Sequence, residues 1–164
     1  MNLSAFNALD PRAAADAVRP ALDVPRWIDA VVATRPYASV AAALETARTA
    51  AHPFTDEELD RALSHHPMIG ERAAGDSAEA ALSRGEQASL GSADATVEAE
   101  LAQANLDYQQ RFGHVFLIRA AGRSLPEILS EARRRTTNTP EDERREVAEQ
   151  LREIAVLRLE GMLS

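Results

Sequence analysis

Cysteine is absent, which excludes disulfides, thiolate catalysis, iron–sulfur clusters and thiolate zinc sites. Glycine (7 residues) and proline (8) are sparse, alanine is abundant and β-branched runs are few, a balance that favours helix nearly everywhere. The four histidines, His52, His65, His66 and His114, form no His-x-x-x-His pair, so no metal site is expected. Serine occurs in no nucleophile elbow, and there is no glycine-rich phosphate loop. Apolar runs are too short to span a bilayer. Positive charge is also in deficit. A formal net charge of −8 repels nucleic acid and anionic membranes, so neither is an expected partner, and an anionic small substrate needs a local cationic spot.

What remains is the profile of a soluble globular chain: 164 residues, 45% apolar and 27% charged, enough for one domain with a sizeable core. Residues 1–6 lack the basic and apolar regions of a signal peptide, and the last residues are not a peroxisomal address. The expectation is a cytoplasmic protein.

Helix punctuation is frequent. Asp10-Pro11 reads as N-cap and first helical position of a helix reaching about Val18, and Pro20 closes it. Pro25 opens a second helix with Trp27, Ile28 and Val31 on one face, and Ser39 caps a third. Thr55 and Glu58 form a capping box before the helix that leads into His65 and His66. A surface loop is expected over 71–77. A long helix from near Asp94 to Phe112 carries Val97, Leu101, Ala104, Asn105 and Tyr108 on one stripe, and Gly113 ends it. The apolar run from Val115 to Ile118 is too isolated for a sheet and reads as an extended buried segment. Ser124 caps the next helix, through about Arg135, and Thr139-Pro140 opens the last. The expected fold is all-α: a single domain over residues 1–164 of roughly seven to nine helices.

Chemistry concentrates at few places. His66 precedes Pro67, which pushes it out of the helical region, so its ring should be thrown off a helix end. Histidine is the side chain best suited to move a proton near neutral pH. The plain alternative is a helix C-terminus with basic rings near the dipole's negative end. His52-Pro53 repeats the dipeptide, so the pair alone identifies nothing. Ser83 and Glu86 read as a second capping box. Alternatively, that helix start faces a cavity, with Gln87 offering a two-way amide to a ureido or imide edge and Glu86 accepting from ligand N–H or O–H groups. Of Arg133, Arg134 and Arg135, one turned inward would be a fork for a carboxylate; otherwise all three are solvated.

In order, these pieces are His66-Pro67 after a capped helix, Ser83-x-x-Glu86-Gln87, Tyr108-x-x-x-Phe112-Gly113-x-x-Phe116-x-Ile118, Arg135-x-x-Asn138 and Ile154-x-x-x-Arg158-Leu159. With the Trp27 helix and Arg35-Pro36-Tyr37, the set resembles the 2-oxo-4-hydroxy-4-carboxy-5-ureidoimidazoline (OHCU) decarboxylases of urate breakdown, over nearly the whole chain. The resemblance implies an all-helical, cofactor-free enzyme, often dimeric, that converts OHCU to (S)-allantoin with loss of carbon dioxide. It implies catalytic roles for His66, Glu86 and Arg135. Pro67, Ser83 and Gln87 match ligand contacts, and the backbone around Ile118, Arg119 and Ala120 matches the segment that pairs with the substrate's polar edge. Two departures stand out: Met68-Ile69 follow the His-Pro pair, and 71–81 match little. The rival expectation is a helical protein-interaction module without activity. A hollow joining His66, Glu86 and Arg135 would favour the enzyme.

Overall fold

A computed structural model describes residues 1–69, 78–88, 90 and 94–164. Nine helices, and no strand, occur among the described residues: α1 (Leu3–Ala8), α2 (Pro11–Val18), α3 (Pro25–Ala33), α4 (Val40–Thr49), α5 (Asp56–Ser64), α6 (Ala78–Ala88), α7 (Ala95–Phe112), α8 (Leu125–Thr136) and α9 (Pro140–Leu163). Among the described residues, no helix is long and apolar enough to cross a membrane. The expected all-α class is what forms. Gly70 and the loop expected over 71–77 lie outside the described residues.

Most helix starts follow from local chemistry. Asp10 accepts a hydrogen bond from the Ala13 amide with Pro11 at the first helical position, and Ser39 does the same for the Ala42 amide. Thr55 and Glu58 close a reciprocal box, with Glu58 accepting from the Thr55 amide at 2.8 Å and Thr55 from the Glu58 amide at 3.2 Å. Ser124 and Glu127 repeat it at α8. Asp94 caps α7, and Gly113 ends that helix at φ 78°, the left-handed conformation in which a side chain is strained. Helix α1 is an addition to the sequence reading; the Asn2 side chain caps it through the Ala5 amide.

Ser83 overturns one expectation. Helix α6 begins at Ala78, so Ser83 and Glu86 sit inside it rather than at its start. The capping-box reading fails, and so does the idea that free N–H groups at this point face a ligand. A Ser-x-x-Glu spacing fits a helix interior as well as its first turn, and only the position of the true start separates the two.

The chain divides into two compact units: Met1–Ala62 with Arg152–Ser164, and Leu63–Leu151. In the first, α2 packs on α3 and α3 on α4 around a fully buried Trp27, whose indole N–H donates to the Ala47 carbonyl at 3.0 Å. Satisfying that donor is what lets the largest side chain of the protein sit in the core at no polar cost. Arg152 donates to the Ala50 carbonyl at 2.7 Å and lies 4.2 Å from the centre of the Phe54 ring. Arg158, 4% exposed, donates to the Pro20 carbonyl at 3.3 Å.

In the second unit α7 packs against α8. Its core joins Ile69, Leu101, Ala104, Tyr108, Phe116, Ile118, Ala120, Leu125, Ile128, Leu129 and Ala132, with Leu90, Val97 and Phe112 packed on its margin. Phe116, Leu117 and Ile118 are buried without regular structure, as the isolated apolar run predicts.

Candidate active site

His66 lies two residues beyond α5, half-buried, and its amide donates to the Leu63 carbonyl at 3.1 Å. Pro67 forbids another helical turn, so the chain leaves α5 without regular structure through Met68 and buries Ile69. On α6, Ser83, Glu86 and Gln87 fall at three- and four-residue spacings and so share one face. Ser83 is buried; Glu86 and Gln87 are half-buried.

A cavity of about 510 Å³ lies in this unit, between the segment after Pro67, the end of α6, one face of α7 and the start of α8. Met68, Ile69, Gln87, Leu101, Asn105 and Leu125 belong to its wall. The volume suits a small heterocyclic ligand. Helix α7 contributes Glu98, Leu101, Ala102, Asn105 and Leu106, a single stripe at helical spacing. Among the described wall residues Glu98 is the charged side chain, beside the amides of Gln87 and Asn105 and the apolar Met68, Ile69, Leu101 and Leu125.

Asn105 is the polar residue that the sequence reading absorbed into the core stripe. It is 2% exposed, and its amide nitrogen donates to the Ile69 carbonyl at 2.7 Å. An amide between apolar neighbours at core spacing is the signal that could have singled it out, because buried polar groups demand partners.

Arg135 is the arginine of its triplet that turns inward, 1% exposed, whereas Arg133 pairs with Glu100 at 3.4 Å and Arg134 with Glu131 and Glu146 at the surface. Each of its three guanidinium nitrogens donates inside the protein. Nε reaches Glu143 Oε1 at 2.9 Å, Nη2 reaches the same oxygen at 2.5 Å, and Nη1 reaches the Leu117 carbonyl at 2.8 Å. The guanidinium lies 4.7 Å from the Phe116 ring centre and 5.9 Å from that of Tyr108. Tyr108 donates its hydroxyl to Glu143. Burial, then the Glu143 carboxylate, pushes the Tyr108 hydroxyl well above its ordinary range, so it stays a donor. Arg135 is not among the described wall residues of the cavity.

Of the backbone segment, Ile118 and Ala120 join the core cluster that includes Ile69 and Leu125. The Arg119 amide donates to Gln150 Oε1 at 2.9 Å. The structure therefore gathers the chain after His66-Pro67, the face of α6 bearing Gln87, and the Ile118 segment within one unit. Arg135 enters that unit through Leu117 and Glu143.

Fold and hollow together define an all-α chain with a cavity of small-molecule size among its described residues. A profile of the OHCU decarboxylase family matches residues 7–160, and the chain belongs to that family. It is similar to the 2-oxo-4-hydroxy-4-carboxy-5-ureidoimidazoline decarboxylase of Amia calva, with 35% identity over 100 residues, 60% of this chain and 57% of that one. The chain thus spans a little over half the length of that relative. A crystal structure of an OHCU decarboxylase in the presence of (S)-allantoin superposes with a TM-score of 0.71 at 25% identity, covering 88% of this chain and 94% of that one. An (S)-allantoin synthase structure matches with a TM-score of 0.72 over 99% of this chain and 54% of that one; at 14% identity it speaks to the fold alone.

Proposed function

We propose that this protein decarboxylates OHCU to (S)-allantoin without a cofactor. The observation that carries the reading is family membership across residues 7–160. Beside it, Met68 and Ile69 after the His66-Pro67 pair and Gln87 of α6 line one hollow, while His66, Glu86 and Arg135 are not among its described wall residues.

The chemistry asks little of the protein. When the bond from the ring carbon to the carboxylate breaks, its electron pair becomes a ring carbon–carbon double bond and the adjacent imine pair moves to nitrogen, which takes a proton. The hydroxyl then becomes the new carbonyl as its proton leaves, and a proton is placed on the carbon bearing the ureido group. One proton is consumed and one carbon dioxide released. The substrate supplies the electron sink that other decarboxylations draw from a cofactor. What the protein supplies is orientation and proton control.

His66 is the proposed proton donor or shuttle, and Glu86 with Gln87 holds the ligand's N–H and O–H groups. Ser83 and Pro67 are proposed as further ligand contacts. Arg135 acts on this reading as a positioning residue: through the Leu117 carbonyl it fixes the segment of Ile118, Arg119 and Ala120 that faces the substrate's polar edge. Protonation from one side gives a single enantiomer.

The test is the decay of freshly made OHCU followed by circular dichroism. Rapid appearance of the (S)-allantoin signal over the spontaneous rate is expected. Racemic product at the uncatalysed rate would remove the assignment.

A further inference from the structure

Helix α9 governs the segment between α7 and α8 at two points seven residues apart, Glu143 and Gln150. Glu143 holds Arg135, whose Nη1 donates to the Leu117 carbonyl at 2.8 Å. Two turns further along, Gln150 Oε1 accepts from the Arg119 amide at 2.9 Å. Residues at that spacing share a helix face, and the buried Val147 and Ile154 continue it. The half-buried Gln150 is thus an amide on a face otherwise given to apolar side chains and to Glu143. It serves there as an acceptor. With the side-chain amide turned over, two N–H groups would oppose each other at 2.9 Å.

The two contacts fall on neighbouring peptides. The Leu117 C=O belongs to the peptide joining Leu117 to Ile118, and the Arg119 N–H to the peptide joining Ile118 to Arg119. Both peptides are trans, so each is a rigid plane whose C=O and N–H point in opposite directions. A donor from α8 therefore fixes the first plane, and an acceptor from α9 fixes the second. Together they set the direction of the backbone through Ile118 and into Arg119 and Ala120.

We propose that Gln150 is a positioning residue for the decarboxylation, the counterpart of Arg135 on the other side of Ile118. It acts only through the Arg119 peptide, holding the segment of Ile118, Arg119 and Ala120 in register with the substrate's polar edge. The inference rests on the decarboxylase reading for the substrate and for the segment that meets it. The role of Gln150 rests on its bond to the Arg119 amide.

The test is steady-state turnover of OHCU by the full-length wild type, by Gln150→Met, which keeps the length and removes the acceptor, and by Gln150→Glu, which keeps the acceptor. Gln150→Met should raise KM by about fivefold, the effect of one neutral hydrogen bond, and leave kcat within about twofold. Gln150→Glu should stay within about twofold of the wild type in both. A role confined to stability gives the opposite pattern, because fewer folded molecules lower the apparent kcat and leave KM alone. That pattern would overturn the proposal. So would an unchanged KM in Gln150→Met, or a KM raised as far by Gln150→Glu.

A measurement on the wild type guards against misfolding of Gln150→Met. The Arg119 amide should be protected from hydrogen exchange before any ligand is added, and (S)-allantoin should leave that protection as it is. Rapid exchange in the free protein, or protection that arises only with (S)-allantoin, would overturn the proposal. A wild type that turns over OHCU with an unprotected Arg119 amide loses the role of Gln150 and keeps the function. A wild type without turnover loses the function, and with it this role, even where the Arg119 amide is protected.

Discussion

Tyr108 on α7 donates its hydroxyl to the carboxylate of Glu143 on α9, the same carboxylate that Arg135 on α8 grips. Three helices are thereby tied at one buried point, and a fourth contact, from Arg135 to the Leu117 carbonyl, ties in the extended segment between α7 and α8. Asn138 adds an amide donor to Glu143 at 3.0 Å. Both charges are 1% exposed, so each depends on the other for what it has lost from water.

Removing one partner should therefore cost far more than removing the hydrogen bond of a neutral neighbour. Glu143→Gln leaves the buried Arg135 charge with only the more distant Glu146 carboxylate, 3.8 Å from its Nε, and a loss of about 3 kcal/mol is expected. Tyr108→Phe deletes one hydroxyl and leaves the ion pair, so about 1–3 kcal/mol is expected. Urea unfolding of both variants beside the wild type checks the order. Equal losses would show that the pair is not the dominant tie.

His66 makes a kinetic prediction that stability cannot mimic. On the proton-transfer reading, His66→Ala lowers kcat for OHCU by about 10²–10⁴-fold, the usual contribution of a positioned acid or base. It should also let the enantiomeric excess of the allantoin collapse, because stereocontrol depends on which face the proton reaches. His65→Ala, one residue away and exposed, should keep both rate and enantiomeric excess. A His66 variant that is slow yet still gives pure (S)-allantoin would place the stereochemical proton on another group.

These features were unequally visible in the sequence. Asp10, Ser39, Thr55, Asp94, Ser124 and Gly113 announce helix ends because a cap is a contact within four residues, which spacing can encode. Helix α6 starts at Ala78, and the Ser83-Glu86 spacing imitates a cap inside it. The ion pair of Arg135 was half legible. Its neighbours Arg133 and Arg134 are equally basic, and which of the three turns inward depends on where α9 carries Glu143 and Glu146. Asn105 shows the opposite failure. It lies at core spacing and is buried as that spacing predicts, yet its meaning comes from the Ile69 carbonyl, thirty-six residues distant in sequence.

Added chelator should leave the activity unchanged. The reason is chemical: the substrate's own imine takes the electron pair released with carbon dioxide, so no Lewis acid is required at the carboxylate. Turnover of OHCU before and after extended treatment with EDTA checks this. A complete loss that one divalent metal restores would replace the proton-transfer mechanism by a metal-assisted one.

Acid stability offers a test in the first unit, remote in chemistry from turnover. Glu58 accepts from Arg26 Nε at 2.7 Å and Nη2 at 2.8 Å and from the Thr55 amide at 2.8 Å. The Arg26 hydrogen bonds, opposed by partial burial and assisted by the cap, hold its carboxyl below the ordinary value of 4.5. Asp23 is likewise held below 3.8: burial opposes, and the hydrogen bonds from Arg61 and Arg19 prevail. A carboxyl whose folded pKa is depressed binds its proton more readily when unfolded. Its stabilisation is thus fully present above the unfolded value and is lost as pH falls through the folded one. Glu58→Gln should lower Tm by about 2–4 °C at pH 7, the effect of about 1 kcal/mol in a chain of this length. The gap between variant and wild type should close as the pH is taken well below 4.5, where wild-type Glu58 is protonated too. A gap that persists undiminished at low pH would assign the loss to packing around the α5 cap and not to the Arg26–Glu58 charge pair.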